Sequence, residues 1–576
     1  MALSNFDDKI CPRFLDGYSK EILPWDRFNR WITCFCVVTF DLELGQAMEM
    51  IYPRFVRLTE KEKTNICYLA FPDSNSGCMG DTQFHFRMRS ESTICKRNNC
   101  CRSNENGLPF GYKSDQGHYY GFVFFRQVKD PTIPRGYFQK SLVLISRLPY
   151  VNFFTEVVKV AAPGFFDMQE PALEACCHDI DQWPFPISGQ TFLLPLMGSL
   201  IQLHLPSRKD KPGTVMSPSS SVEQTIVPLT PAPTVIPLLK EADTYRCISA
   251  VLNHVHLLWE LVLLNEPIVV MAPSPSMCSE VVQSLITLIH PLHFNSDFRP
   301  FFTIHDSEFK EYTTKTRAPP SVILGVTNPF FAKTLQHWPH IVRIGAMNNL
   351  MLGSRPSPLG NDKRSFEGKP GIYTQYKPFL QKDKPFIKTI KKGGQKKRPA
   401  EVQNAILRRH MRELTQSFMI PLERYAASLM PLQRSISPWK LPPKLKCFDA
   451  EEFLKTVEHS GPQLTTGLKG NWKGLYRSFF KSANFEGWFR NRQYEIQQKL
   501  QLLHLEALSV ADMTLWTSGK NEVEIVDFIL QTREKMSSAK QFETQITEDV
   551  WKKLNSQIEN VLDTLPQDLQ LILRQS

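Results

Sequence analysis

The sequence predicts two α/β lobes followed by a helical domain. Three observations lead there. Period-two apolar runs closed by a helix fill the first stretch, short all-apolar strands alternating with helices fill the next, and one long helical stripe opens the last third. At 576 residues the chain is long enough for roughly three to four domains.

The first lobe begins with WITCFCVVTFDLELGQAMEMIYP, two apolar runs around a turn at Gly45, which predicts an antiparallel hairpin. In TQFHFRMR, Phe84, Phe86 and Met88 alternate with polar neighbours and predict a strand with one buried face. YYGFVFFRQV and YFQKSLVLIS add two strands. LPYVNFFTEVVKVAAP places Phe154, Val157, Val158 and Ala161 on one helical face, with an expected end before Pro163. The lobe is assigned to residues 25–206, and the Pro, Ser and Thr-rich stretch 207–237 reads as a linker.

The second lobe, 238–350, opens with AVLNHVHLLWELVLLNE, whose Leu252, Val255, Trp259 and Val262 predict one buried helix. Strand PIVVM follows, then a helix that Ser274 caps and Pro275 enters at its first turn. Strands RPFFTI and SVILGV complete a mostly parallel sheet covered on both faces. Residues 351–399, rich in Gly, Lys and Pro, read as a basic connection. Beyond it Leu407, Met411, Leu414, Phe418, Leu422, Tyr425 and Leu429 form one stripe on a helix that Pro421 should kink. Helical patterns near 486–508, 521–536 and 547–565 assign 400–510 and 511–576 to a helical region and its extension.

Chemistry is harder to find. Lys and Arg outnumber Asp and Glu by 68 to 57, too dilute an excess over this length to indicate nucleic acid. Neither a membrane-spanning run nor an export signal is read, and the thirteen cysteines then read as free thiols in a reducing compartment. No Gly-X-Gly occurs, so the strand-to-helix passage at 265–294 is expected to pack as core and hold no nucleotide. Cys34 with Cys36, and Cys95, Cys100 and Cys101 with Cys176, Cys177 and His178, lack the matched second pair that zinc takes. No metal and no cofactor is expected. His305, Asp306 and Ser307 carry the letters of a hydrolase triad, but neighbours in sequence cannot form the relay.

Two features remain as candidates for recognition. Arg147 leaves a strand end from which an arginine reaches a partner's phosphate, although such residues more often pair with a carboxylate. Lys391, Lys392, Lys396, Lys397 and Arg398 suit an anionic membrane surface, although a solvated loop is the commoner outcome.

WELVLLNEPIVVMAPSPSMCSEVVQSLITLIHPL, DFRPFFTIHDSEFKEY and APPSVILGVTNPFFAKTL resemble the central DENN module, while FDLELGQAMEMIYP, NICYLAFPDS and RGYFQKSLVLISRLPYVNFF resemble its upstream part. Over residues 25–510 the chain is identified as a member of the sixth DENN-domain subfamily, formerly called the family-116 proteins. Phe301 stands where Tyr is commoner, and the segment after Met88 reads as a variable insertion. The resemblance implies a tripartite module: a longin-like α/β lobe, a central α/β DENN lobe and a C-terminal helical domain. It implies guanine-nucleotide exchange, without covalent chemistry, on a Rab GTPase in its GDP-bound and nucleotide-free forms, in this subfamily the Rab of type fourteen. The implied place is the cytoplasm, with recruitment to recycling endosomes. In such proteins a cleft between the two lobes grips the switch regions. The strand-end and loop positions chosen for that contact are Asp41, Glu43, Arg147, Asn265, Glu266, Ser274 and Ser276, with Glu266 equally suited to a structural acceptor. Rival readings are a GTPase-activating protein using Arg147 as its finger, and a scaffold that binds the loaded GTPase.

Overall fold

The computed structural model describes residues 25–43, 45–73, 79–91, 108–133, 136–207, 234–235, 243–345, 370–431, 436–440, 445–457, 462, 468–541 and 548–575. Most of the expected linker, residues 92–107 of the insertion after Met88 with its three cysteines, and residues 346–369 lie outside them.

In the first lobe a short helix α1 (Asp26–Trp31) precedes the hairpin of β1 (Cys34–Asp41) and β2 (Gly45–Tyr52), then helix α2 (Glu60–Leu69). Strands β3 (Gly80–Arg89), β4 (His118–Lys129) and β5 (Tyr137–Ser146) follow, and the antiparallel sheet runs β2-β1-β5-β4-β3. Alternation along the strands splits the core in two. Phe35, Val37, Tyr120, Phe122, Phe124, Leu142 and Leu144 face helices α3 (Val151–Met168) and α4 (Glu170–Asp181), whereas Cys34, Cys36, Val38, Tyr119, Val123, Val143 and Ile145 face α2. A sheet covered on both sides explains why these strands read as almost continuously apolar. A small sheet of β6 (Thr191–Leu196), β7 (Ser199–His204) and β8 (Thr234–Val235) adjoins them.

Two expectations for this lobe are corrected. Helix α3 continues past Pro163 to Met168, because Ala161, Ala162 and Phe165 stay buried on either side of the proline and offset the lost N–H. In β3 both faces are buried: His85 and Arg87 are covered as well as Phe84, Phe86 and Met88, since the second lobe packs on this strand.

The second lobe contains α5 (Thr244–Ile248), a 3₁₀ segment Ser249–His254, α6 (Val255–Leu263), β9 (Ile268–Met271), α7 (Pro275–Thr287), β10 (Asp297–Arg299), α8 (Phe309–Thr313), β11 (Val322–Val326), α9 (Phe331–Thr334), β12 (His340–Arg343) and β13 (Gly371–Thr374). The single helix expected over 250–266 is therefore divided. Its sheet, β10-β11-β9-β12-β13, is parallel except for the β12–β13 pair. Side chains of β9 alternate between α6 and α7 on one face and Phe302, Tyr312 and Trp338 on the other. Gly325 is required because a Cβ there would meet the Pro300 carbonyl oxygen at 2.3 Å.

The stretch 351–399 is more than a connection. Residues 371–374 close the sheet, and Glu260, buried in α6, accepts hydrogen bonds from the Phe379 and Leu380 amides and the Tyr376 hydroxyl. Helix α10 (Lys384–Gln395) follows, then α11 (Ala400–Ser428). The whole predicted stripe of α11 is buried, and the helix runs continuously through Pro421. Helices α12 (Ala450–Thr456), α13 (Trp472–Phe479), α14 (Ala483–Val510), α15 (Met513–Thr517), α16 (Glu522–Gln541), α17 (Glu548–Leu562) and α18 (Gln567–Gln575) complete the chain. The last of these pack in a core of their own around Leu508, Ile529, Leu554 and Leu562. No helix among the described residues is long and apolar enough to cross a membrane.

Candidate partner-binding surface at the lobe junction

Strand β3 ends against β10, and charges are concentrated there. Arg87 donates to Asp115 at 2.7 Å and to Asp297, and its guanidinium lies 4.4 Å from the Phe298 ring centre. Arg299, wholly buried, bridges Asp297 at 3.1 Å and Glu308. Each arginine also reaches the other's strand: Arg299 donates to the Arg87 carbonyl at 3.2 Å and Arg87 to the Phe298 carbonyl at 3.4 Å. Burial alone would raise the Asp115 carboxyl, yet the hydrogen bond from His118 and the charge of Arg87 hold it well below the usual carboxylate range. Asp297 is depressed in the same way, its burial outweighed by Arg299 and Arg87.

Helix α2 forms the rest of the joint. Asn65 and Ser307 exchange two hydrogen bonds at 3.1 and 3.3 Å, Tyr68 stacks on His305 at 4.5 Å, and Thr327 donates to Asp73. Of the letters of the hydrolase triad, His305 and Ser307 thus serve to dock one lobe on the other, while Asp306 accepts locally from the Glu308 amide at 2.9 Å. Phe301 belongs to the first lobe's core and meets Phe84 edge-on at 5.3 Å, so the phenylalanine there has no need of a hydroxyl partner.

The opposite face of α2 borders a groove of about 760 Å³ shared with the edge strand β2. Met48, Met50 and Ile51 line it from the strand, and Arg57, Leu58 and Lys63 from the loop and helix. Among the described residues β2 has no strand paired on its outer side, which leaves an edge suited to pairing there. Phe55, 52% exposed, and Leu42, 63% exposed at the hairpin tip, flank the groove's strand. Arg57 is exposed and makes no ion pair among the described residues.

The structure scatters the residues chosen from sequence. Asp41 and Glu43 form the hairpin tip at the end of β2, where the Glu43 amide donates to Asp41 at 2.7 Å. Arg147 sits at the other end of the sheet: Ile145 pairs with Cys34, seven residues or about 23 Å of strand from Asp41. Its guanidinium donates to the Gln116 carbonyl, the Ser90 hydroxyl and the Tyr119 hydroxyl and stacks 4.3 Å from the Tyr119 ring centre, so it is fixed within its own lobe. Asn265 is buried, and its side-chain oxygen accepts from the Asn484 amide at 2.7 Å. Glu266 lies 3.3 Å from His340. Ser274 caps α7 by accepting from the Met277 amide, and with Ser276 it lines a separate cavity of about 220 Å³ beside Arg246 and Glu280. The groove residues went unnoticed in sequence because Met48, Met50 and Ile51 read simply as strand core. No signal in the sequence marks Arg57 either, since Glu60 and Glu62 follow it within five residues.

No group of three or more His, Cys, Asp or Glu is placed to hold a metal among the described residues. Cys34 and Cys36 lie side by side, sulfurs 3.8 Å apart, in the core; the hydrogen bond from Cys34 and then burial push the Cys36 thiol well up.

Comparison with known proteins matches the DENN (AEX-3) domain over residues 137–343 and the DENND6 C-terminal domain over 513–576. Protein DENND6A of Mus musculus is 54% identical over 97% of this chain and 92% of its own. Protein DENND6B of Homo sapiens is 52% identical over 96% of this chain and 94% of its own, and the DENND6 homolog of Dictyostelium discoideum 33% identical over 92% and 80%. Two α/β lobes locked through β3 and β10, a helical third, and likeness that runs almost from end to end make this chain a member of the DENND6 family of DENN-domain proteins.

Proposed function

We propose that this protein is a guanine-nucleotide exchange factor for a Rab GTPase, the Rab of type fourteen in the reading from sequence, acting in recycling-endosome traffic. The observation that carries it is membership of the DENND6 family along nearly the whole chain, with both DENN lobes present and fused at one joint. Exchange breaks no covalent bond. A factor that holds the nucleotide-free GTPase more tightly than the loaded one weakens nucleotide binding by the same ratio. An acceleration of about 10⁴ corresponds to roughly 5.5 kcal/mol of differential binding, within reach of a surface with a few apolar anchors.

The groove between β2 and α2 supplies such a surface, with Leu42 and Phe55 flanking its strand as exposed anchors and Arg57 in its lining as an exposed charge. Because α2 also carries the lobe contact, a GTPase seated there would sense both lobes. The engaged guanidinium of Arg147 gives no support to an arginine finger.

Release of fluorescent GDP measured across purified Rabs tests the proposal, with one Rab expected to respond strongly. Equal affinity for empty and loaded forms of every Rab sinks it, as does accelerated GTP hydrolysis that Arg147→Ala abolishes. A grip confined to the GTP form without faster release would mark a scaffold instead.

A further inference from the structure

Between residues 382 and 398 eight Lys and Arg stand against a single acid, Asp383. All eight are exposed, and none is ion-paired within the described residues. The lone carboxylate is already committed, since Asp383 caps α10 by accepting from the Phe386 amide at 2.9 Å. This differs from the neighbouring helix, where Arg409 is matched by Glu413 at 2.9 Å.

Packing fixes which way the charges face. Ile387, Ile390 and Gly393 of α10 are buried, and Gln403 of α11 donates to the Ile390 carbonyl at 2.9 Å. A Cβ on Gly393 would meet the Gln403 side chain at 2.3 Å, so the contact is close and the helix cannot roll. Lys388, Lys391 and Lys392 therefore point outward. The turn after the helix is pinned too: the amides of Lys396, Lys397 and Arg398 return to the Lys392, Gly394 and Gly393 carbonyls. Lys397 holds φ at 53°, a left-handed conformation that glycine adopts more readily than lysine. A cation is kept where the backbone alone would favour glycine.

We propose that this outward face of α10 and its C-terminal turn is a docking surface for an anionic lipid membrane. Charge complementarity selects the partner's sign, and the remaining chemistry selects its class. The one aromatic ring in the segment, Phe386, is stacked on His410 at 3.6 Å and is not offered to a nucleobase, as single-stranded nucleic-acid binding would need. Exposed cations on one convex helix face suit an extended charged plane, with each one near the surface raising affinity roughly fivefold. The attraction is screened by salt.

The test is co-sedimentation of the full chain with phosphatidylcholine vesicles, with and without phosphatidylserine. Binding should require phosphatidylserine and weaken as salt is raised. It should fall at least about tenfold in Lys391→Gln/Lys392→Gln/Lys396→Gln/Lys397→Gln and persist when the same four become Arg. Thermal unfolding and GDP release from a soluble Rab should be the same in all three proteins, which separates this surface from the exchange reaction. Equal binding to both vesicle types, full binding by the Gln variant, or tighter binding to single-stranded RNA than to phosphatidylserine vesicles overturns the proposal.

Discussion

Asn265 shows how a residue that looks like a surface turn in sequence becomes a joint in the folded chain. Its φ of 56° lies in the left-handed region, and its buried side chain accepts from the Asn484 amide, while the Asn484 side chain donates to the Val262 and Leu263 carbonyls at 2.9 and 3.0 Å. Helix α14 is thereby tied to the end of α6. Asn tolerates this φ where Ala does not, so Asn265→Ala loses both the bond and the conformation, a cost of about 3 kcal/mol. Asn265→Gly loses the bond alone and should be about 1 kcal/mol less destabilised than the Ala variant in denaturant unfolding. Identical losses would show that the dihedral contributes nothing. The Asn-Glu-Pro sequence signalled a turn, but the partner that buries Asn265 lies 219 residues away, at a distance no local pattern reports.

At the scale of elements, alternation in β3 was legible from Phe84, Phe86 and Met88, but the burial of its charged face was not, because that burial depends on a second lobe. The seam has a measurable signature. Arg87→Met takes from the largely buried Asp115 and Asp297 the arginine they share, leaving Asp115 to His118 and Asp297 to Arg299, and should cost about 3 kcal/mol. The two carboxyls have folded pKa values below their unfolded ones, so the stability they contribute is present above the ordinary carboxylate range and is lost as pH falls through the depressed values. In Arg87→Met the two folded values rise toward the unfolded ones, so the loss of stability across that window should shrink, and an unchanged acid slope would mean that the arginine does not hold these charges. Packing of α6 on α11 adds a second dependence of the same sign. His256 is buried 3.1 Å from His410, and burial, then the neighbouring histidine, brings its pKa down to about 4; burial alone does the same for His85. Between pH 6.5 and 4 the unfolded chain binds protons that the folded chain refuses, so stability declines as pH falls through that window. Each imidazole should withdraw about 2 kcal/mol by pH 5, and His256→Phe should flatten the profile measured by denaturant unfolding.

The whole molecule was readable as three parts because each has its own apolar period: alternation in the first lobe, short all-apolar strands in the second, and the stripe from Leu407 to Leu429 in the third. What the periods could not give is the surface that arises when the parts meet, and the groove beside α2 is of that kind. Leu42 and Arg57 are exposed and take no part in the seam's ion pairs, so Leu42→Asp and Arg57→Glu should leave the unfolding midpoint where it is. If the GTPase seats on β2 and α2, the pair together should slow GDP release at least about tenfold, equivalent to roughly 1.4 kcal/mol of lost differential binding. Arg147→Ala supplies the contrast. Its guanidinium braces Gln116, Ser90 and Tyr119 at the far end of the same sheet, so its removal should lower stability and leave the exchange rate of the folded fraction intact. A rate that drops with Arg147→Ala and ignores the groove pair would move the partner's footprint to the opposite end of β5.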